Sequence, residues 1–123
     1  MKKDSEDYAQ ILLVNWIRRA LGDDIWSKTH HSPGGGSRSA REGAKFKLMG
    51  VRPGFPDLVT YVARGGFAGL VVELKVKGRK ARTDQLEWQD ILEACGFCVH
   101  ICDGFEGAKF VYRVYFNYTG DIE

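Results

Sequence analysis

Asp57, Glu73 and Lys75 are the residues of this sequence whose types and spacing could do chemistry. Two runs with strand composition, 57–63 and 67–76, flank Arg64-Gly65-Gly66, and a glycine pair between such runs signals a hairpin. A turn centred on that pair sets Asp57 opposite residue 74, within one residue of Glu73. Glu73 and Lys75 lie two apart in a strand, so both point to one face. The pattern therefore predicts two carboxylates and an ammonium group converging at the open end of a hairpin. Two carboxylates hold a hard divalent cation such as Mg²⁺, which keeps several of its waters. Such an ion makes water more acidic and offsets charge on a phosphoryl oxygen. A lysine alongside orients that water and balances the remaining charge. This is the equipment for cutting a phosphodiester. The alternative is a cross-strand ion pair on a solvated face. Leu70-Val71-Val72, Leu74 and Val76 speak against it, because they read as a buried strand, where charge is costly unless paired or bound to metal.

The elements around this group can be read in outline. Asp4-Ser5 predicts a helix cap, with Glu6 and Asp7 in the first turn. Ala9, Leu12, Leu13, Trp16, Ile17 and Ala20 recur at helical spacing, and Gly22 stops the helix, giving a span of about 5–21. Residues 25–30 read as a short strand. His31 to Ser39 is a glycine- and serine-rich loop, and Ala40 to Met49 a short basic helix ended by Gly50. Residues 51–56 form a stiff turn. Thr83 is expected to cap a helix closed by Gly96, and 97–102 is a last strand. Phe105 to Phe116 has both helical spacing and strand composition, and helix is the preferred reading. The sum is one mixed α/β domain over 1–123, with no internal repeat.

The 123 residues suit one domain. No apolar run reaches the length of a membrane span. The first residues lack an apolar signal core, and three cysteines within eight positions read as reduced thiols, so the expected location is the cytoplasm. Net charge is only +2, but residues 28–82 hold twelve basic residues against three acidic ones. A basic middle between acidic flanks predicts a one-sided positive surface that meets a polyanion.

Gly54-Phe55-Pro56-Asp57 followed by Glu73-Leu74-Lys75 resembles the PD-(D/E)xK nuclease signature. The neighbouring residues narrow the resemblance to the virus-type replication-repair nuclease (VRR-NUC) branch. They are Glu6 and Gln10 in an early helix, His30-His31 before a glycine loop, Lys47 to Asp57, Gly69 to Lys75, and Thr83-Asp84-Gln85 through Trp88. The resemblance implies an α-β-β-β-α-β restriction-endonuclease-like core, a mixed central sheet flanked by helices. It implies Mg²⁺ or Mn²⁺ held by Asp57, Glu73 and the Leu74 carbonyl, with Lys75 as catalytic lysine. Gln85 and Glu6 would be supporting site residues. It further implies a stand-alone member of phage or prophage origin, working as a homodimer in a bacterial cell on branched DNA such as four-way junctions or flaps. No small-molecule cofactor beyond the metal is expected.

Lys77, Arg79, Lys80 and Arg82 follow the catalytic strand, and Lys45, Lys47 and Arg52 precede it; these are the expected DNA contacts. Three other readings remain open: a non-catalytic DNA-binding module, a nuclease for RNA or a specific duplex sequence, and a small zinc protein built on Cys95-Gly96-Phe97-Cys98 with His100 and Cys102. The His30-His31 pair reads more readily as a strand end than as metal ligands. The aromatic stretch from Phe105 to Tyr118 is either core or a dimer interface.

Overall fold

The computed structural model describes residues 2, 5–33, 39–76 and 78–120. Its elements are α1 (Glu6–Trp16), α2 (Asp23–Trp26), β1 (Thr29–His31), α3 (Ala40–Leu48), β2 (Leu58–Thr60), β3 (Leu70–Lys75), α4 (Thr83–Ala94), β4 (Cys98–Asp103) and α5 (Gly104–Tyr115). The four strands make one sheet in the order β1-β2-β3-β4. The first two pairings are antiparallel and β3–β4 is parallel, with α4 as the crossover. This is the mixed sheet and α-β-β-β-α-β order that the resemblance implies, with α3 inserted between β1 and β2.

Strand parity decides the layers. Leu58, Leu70, Val72 and Leu74 face one side and pack with Ala9, Leu13 and Trp16 of α1 and Ala108 and Tyr112 of α5. Val59, Val71 and Val99 face the other, with Leu92 of α4, Phe55 and Phe97 against them. All six residues of β3 are buried, as a strand covered on both faces and paired on both edges must be. A hydroxyl relay ties the first layer to the sheet. Thr29 Oγ1 donates to the Ile25 carbonyl at 2.9 Å, so Thr60 Oγ1 must donate to Thr29 (2.9 Å) and Tyr112 to Thr60 (2.7 Å), one proton per hydroxyl. The chain satisfies polar groups on Thr60 and Tyr112, both wholly buried.

Two sequence expectations are corrected. Residues 25–30 are not one strand: Gly22 turns the chain at φ +91°, Asp23 and Asp24 open the short helix α2, and the strand starts at Thr29. Ile25 and Trp26 meet the core from this helix, so their strand-like composition reports burial and not extension. The first helix is also not uniform, because its last turn, Ile17–Leu21, widens to a π-helix. Residues 105–115 are helical, as preferred, and Phe116 caps the helix. Their aromatics are largely core: Tyr112 is fully buried, and Phe105, Tyr115, Phe116 and Tyr118 pack against the same cluster. Phe110 and Val114 point outward.

Candidate active site

The hairpin sets the first contact. Gly65 and Gly66 take φ of +59° and +86°, the pair of left-handed residues that a tight hairpin turn needs. Arg64 and Phe67 bridge across it. Further out, Thr60 pairs with Leu70, Val59 with Val71 and Leu58 with Val72. Residues 61–63 thus oppose only 68 and 69, and this extra residue shifts the register by one from a plain turn. One step beyond the last pair, the same register sets Asp57 against Glu73. The shift matters, since a one-residue slip would turn Asp57 toward the side of Leu74, away from Glu73 and Lys75. Gly69 permits the close approach here: a Cβ on it would lie 2.7 Å from the Thr60 carbonyl oxygen.

Glu73 and Lys75 are both buried, 5% and 7% exposed, on the α4 side of the sheet, with Lys75 Nζ 3.6 Å from Glu73 Oε2. Asp57 precedes β2 and accepts the Leu74 backbone N–H on Oδ2 at 2.8 Å. A strand residue's N–H and C=O point to the same neighbour, so the Leu74 carbonyl leaves the strand on the Asp57 side. Gln85, buried in the first turn of α4, completes the group. Its Oε1 accepts the Arg82 backbone N–H at 2.9 Å, which fixes the amide's orientation. Its Nε2 therefore donates to Glu73 Oε2, at 2.7 Å. The cap of α4 is this Arg82–Gln85 contact; Thr83, expected as the cap, is the first helical residue.

Electrostatics at this point favour a cation. Burial, then the charge of Asp57, and then that of Glu6 push the Glu73 carboxyl up to about 8, against the opposing pull of Lys75. Burial also raises Asp57, while the Leu74 N–H, His31 and Lys75 pull it down. Like-charged carboxylates taken out of water together disfavour ionisation unless a positive charge joins them. Glu6 lies half-buried at the start of α1, with Asp7 beside it exposed. α1 covers the opposite face of the sheet, so Glu6 acts on Glu73 through its field. Among the described residues no three His, Cys, Asp or Glu side chains converge to hold a metal. The donors that the resemblance implies, the Asp57 and Glu73 carboxylates and the Leu74 carbonyl, are all oxygens, which would suit an oxygen-seeking ion that keeps its waters better than zinc. Burial also pushes the Cys102 thiol up to about 12, so it stays protonated at neutral pH.

Two contacts were not legible in the sequence, although His31 ends β1 as expected. His31 Nδ1 lies 2.8 Å from the Asp57 carbonyl oxygen, and because a carbonyl only accepts, the ring carries its proton there. This pins the backbone of Asp57 from β1. Trp88 of α4 donates its indole N–H to the Pro53 carbonyl at 3.1 Å, stacks edge-on with Phe55 at 5.0 Å, and lies under the Arg52 guanidinium at 4.4 Å. Gly54, at φ +90°, presses on the Asp84 backbone so closely that a Cβ would sit 2.7 Å from its carbonyl carbon. The 52–57 loop is thus clamped to the helix that carries Gln85. A Gly-x-Pro-Asp run followed by a Trp one helical turn after Gln85 was a visible signal, but their contact was not.

Lys45 and Lys47 are exposed on α3, and Arg79, Lys80 and Arg82 are exposed between β3 and α4. Arg82 Nε also holds Asp84 at 3.2 Å. Lys77 and the Gly34–Gly36 loop lie outside the described residues. Gln10, one turn beyond Glu6, buries both amide atoms with no hydrogen-bond partner among the described residues.

Fold and site together define a nuclease-type α/β core, with a Pro-Asp and a Glu-x-Lys meeting at the end of an antiparallel pair. The VRR-NUC domain profile matches residues 6–106, and the chain belongs to that family, a family of nucleases. A solved structure described as a VRR_NUC domain protein is similar over 92% of this chain and 88% of its own, at 34% identity and a TM-score of 0.79. No curated protein matches. Among the described residues no helix is long and apolar enough to cross a membrane.

Proposed function

We propose that the chain is a metal-dependent, structure-selective DNA endonuclease that hydrolyses phosphodiesters in branched DNA such as four-way junctions or flaps, its 123 residues acting as one domain. The observation that carries this is the buried Glu73–Lys75 pair, with Asp57 in register across from it and Gln85 fixing Glu73. Asp57, Glu73 and the Leu74 carbonyl would hold a divalent cation, Mg²⁺ or Mn²⁺, which would supply charge neutralisation and a more acidic water. Lys75 orients the attacking water and balances charge on the phosphoryl oxygens. From the start of α1, Glu6 acts through its field to favour loss of the water's proton, which passes to bulk water. A P–O bond forms to the water oxygen as the bond to O3′ breaks, O3′ takes a proton from bulk water, and a 5′-phosphate and a 3′-hydroxyl remain. Gln85 keeps Glu73 aligned throughout.

Lys45, Lys47, Arg52, Lys77, Arg79, Lys80 and Arg82 take backbone phosphates, which reads shape and not sequence. A homodimer presents two such sites to two strands. Phe110 and Val114, exposed one turn apart on α5, offer apolar surface to a second copy. The test is cleavage of labelled four-way junction, flap, single-stranded and duplex DNA and of RNA, in Mg²⁺, Mn²⁺ or EDTA. Asp57→Asn and Glu73→Gln proteins run alongside. Metal-dependent cutting of branched DNA, lost in both variants, is expected. Tight binding with no cutting in any metal would make the chain a DNA-binding module instead. Preferential cutting of RNA would move the substrate.

A further inference from the structure

Helix α3 is a helix without a core. None of its nine residues is buried. Its half-buried residues, Gly43 and Phe46, mark the side turned toward the protein. At about 3.6 residues per turn, the opposite side carries Arg41, Ala44, Lys45 and Leu48. Leu48 is 91% exposed, and Met49 and Val51 just beyond it are 67% and 50% exposed. A helix this short does not hold itself together in water by propensity alone. Yet its ends are finished: Ser39 and Glu42 form a reciprocal cap, and the Val51 N–H closes on the Phe46 carbonyl at 2.9 Å. A finished helix that aims leucine and methionine away from its own protein is built to meet something else.

The charge says what. Lys45 and Lys47 stand beside the apolar tip in the last turn, Arg41 lies two turns back on the same side, and the one acid of the helix, Glu42, is engaged in the cap. Arg52 follows directly after Val51 and stacks on Trp88, in the helix that carries Gln85. The tip is therefore continuous with a basic rim that leads into the site, and a polyanion fits it. A second copy fits less well, because a two-fold contact through this face would set Arg41, Lys45 and Lys47 against their own copies. Cations of this kind hold phosphates, and apolar side chains between them unstack and kink a duplex.

We propose that α3 with Met49 and Val51 is a DNA wedge: Arg41, Lys45 and Lys47 hold phosphates while Leu48 and Met49 enter the base stack beside the phosphodiester to be cut. It rests on the nuclease reading and assigns that site its means of selecting opened or branched DNA.

The experiment uses the full chain with Ca²⁺ in place of Mg²⁺ and a four-way junction carrying 2-aminopurine at the branch. Wild-type binding is expected to raise the fluorescence several-fold, as unstacking does. The Leu48→Gln/Met49→Gln protein, with unchanged circular dichroism, should bind with the same salt dependence and lose the rise. Lys45→Gln/Lys47→Gln should keep the rise and lower the salt slope by about 2. An equal rise in wild type and the apolar-tip variant, or none in either, overturns the wedge. So does a variant that sediments as a monomer where the wild type is a dimer, or that loses binding to anionic vesicles, since the face then serves a second copy or a membrane. Junction cutting in Mg²⁺ separates the two readings. If both proteins cut alike without unstacking, the nuclease stands and the wedge falls. If the wild type neither binds nor cuts, both fall.

Discussion

Gln85 reaches Glu73 with its amide nitrogen, 2.7 Å from Oε2, because its own oxygen is already taken by the Arg82 backbone N–H. One side chain thus closes the first turn of α4 and aligns an acid on β3. Gln85→Leu should cut activity or metal affinity about 10–100-fold, the usual range for groups that orient a ligand. Gln85→Glu should do worse, because it adds a third acid to a pair already short of positive charge. Metal titration by calorimetry together with turnover checks both. Equal activity in Gln85→Leu would show that the contact matters only to the helix.

The raised Glu73 carboxyl makes a prediction about stability. Its folded value, about 8, lies above its ordinary 4.5. The folded chain therefore holds a proton that the unfolded chain has lost, and this contribution, fully present below about pH 4.5, fades as pH rises through 8. Without metal, Tm should fall between pH 5 and 8 more steeply in the wild type than in Glu73→Gln. Mg²⁺ should flatten the wild-type curve, because the ion favours the charged form. Parallel curves for the two proteins in EDTA would refute the assignment.

Gly54 has no room for a side chain and occupies a left-handed conformation. Gly54→Ala should cost about 1–3 kcal/mol, the scale of one strained residue in a tight fit. It should also lower activity, because the same loop carries Asp57. Trp88→Phe keeps the edge contact with Phe55 and loses the bond to Pro53, so a smaller loss of both is expected. Chemical denaturation and turnover, measured on the same preparations, decide it. A stable, fully active Gly54→Ala would mean that the loop is free to shift away from α4.

Gln10 buries an amide that finds no partner among the described residues. Gln10→Leu has nearly the same shape and removes that cost, so it should stabilise the chain by about 1–3 kcal/mol. A lower Tm would mean that the amide holds a water or other group in the native protein. A higher Tm with lost cleavage would place Gln10 in the service of the reaction.

Much of this site could be read from the chain itself because its key contact is local. Asp57 and Glu73 belong to one hairpin, and a glycine turn between two β-branched runs brings them together with no knowledge of the rest. The bulge at 61–63 escaped, since one extra residue leaves no mark in composition, although it decides which face Asp57 takes. His31 and Trp88 escaped for a different reason. They act from β1 and α4, and only the assembled sheet brings those elements to the 52–57 loop. Ile25 and Trp26 misled because an apolar pair says that a segment is buried and not whether it is coiled or extended. Helix α3 was legible as a helix from its cap and Gly50, but not as one facing outward, since its residues alone do not say what lies beside them.

Strand β2 begins only at Leu58, yet β3 runs on past its partner Val72, and the Leu74 N–H that a preceding strand residue would have taken goes to the Asp57 side chain instead. The acid is, in effect, the last rung of the ladder, made of carboxylate rather than peptide. Its loss would therefore unpin the end of β3 as well as the chemistry. Asn at 57 keeps an oxygen for that rung and gives up only the charge, so the two duties of one residue can be parted without disturbing the sheet.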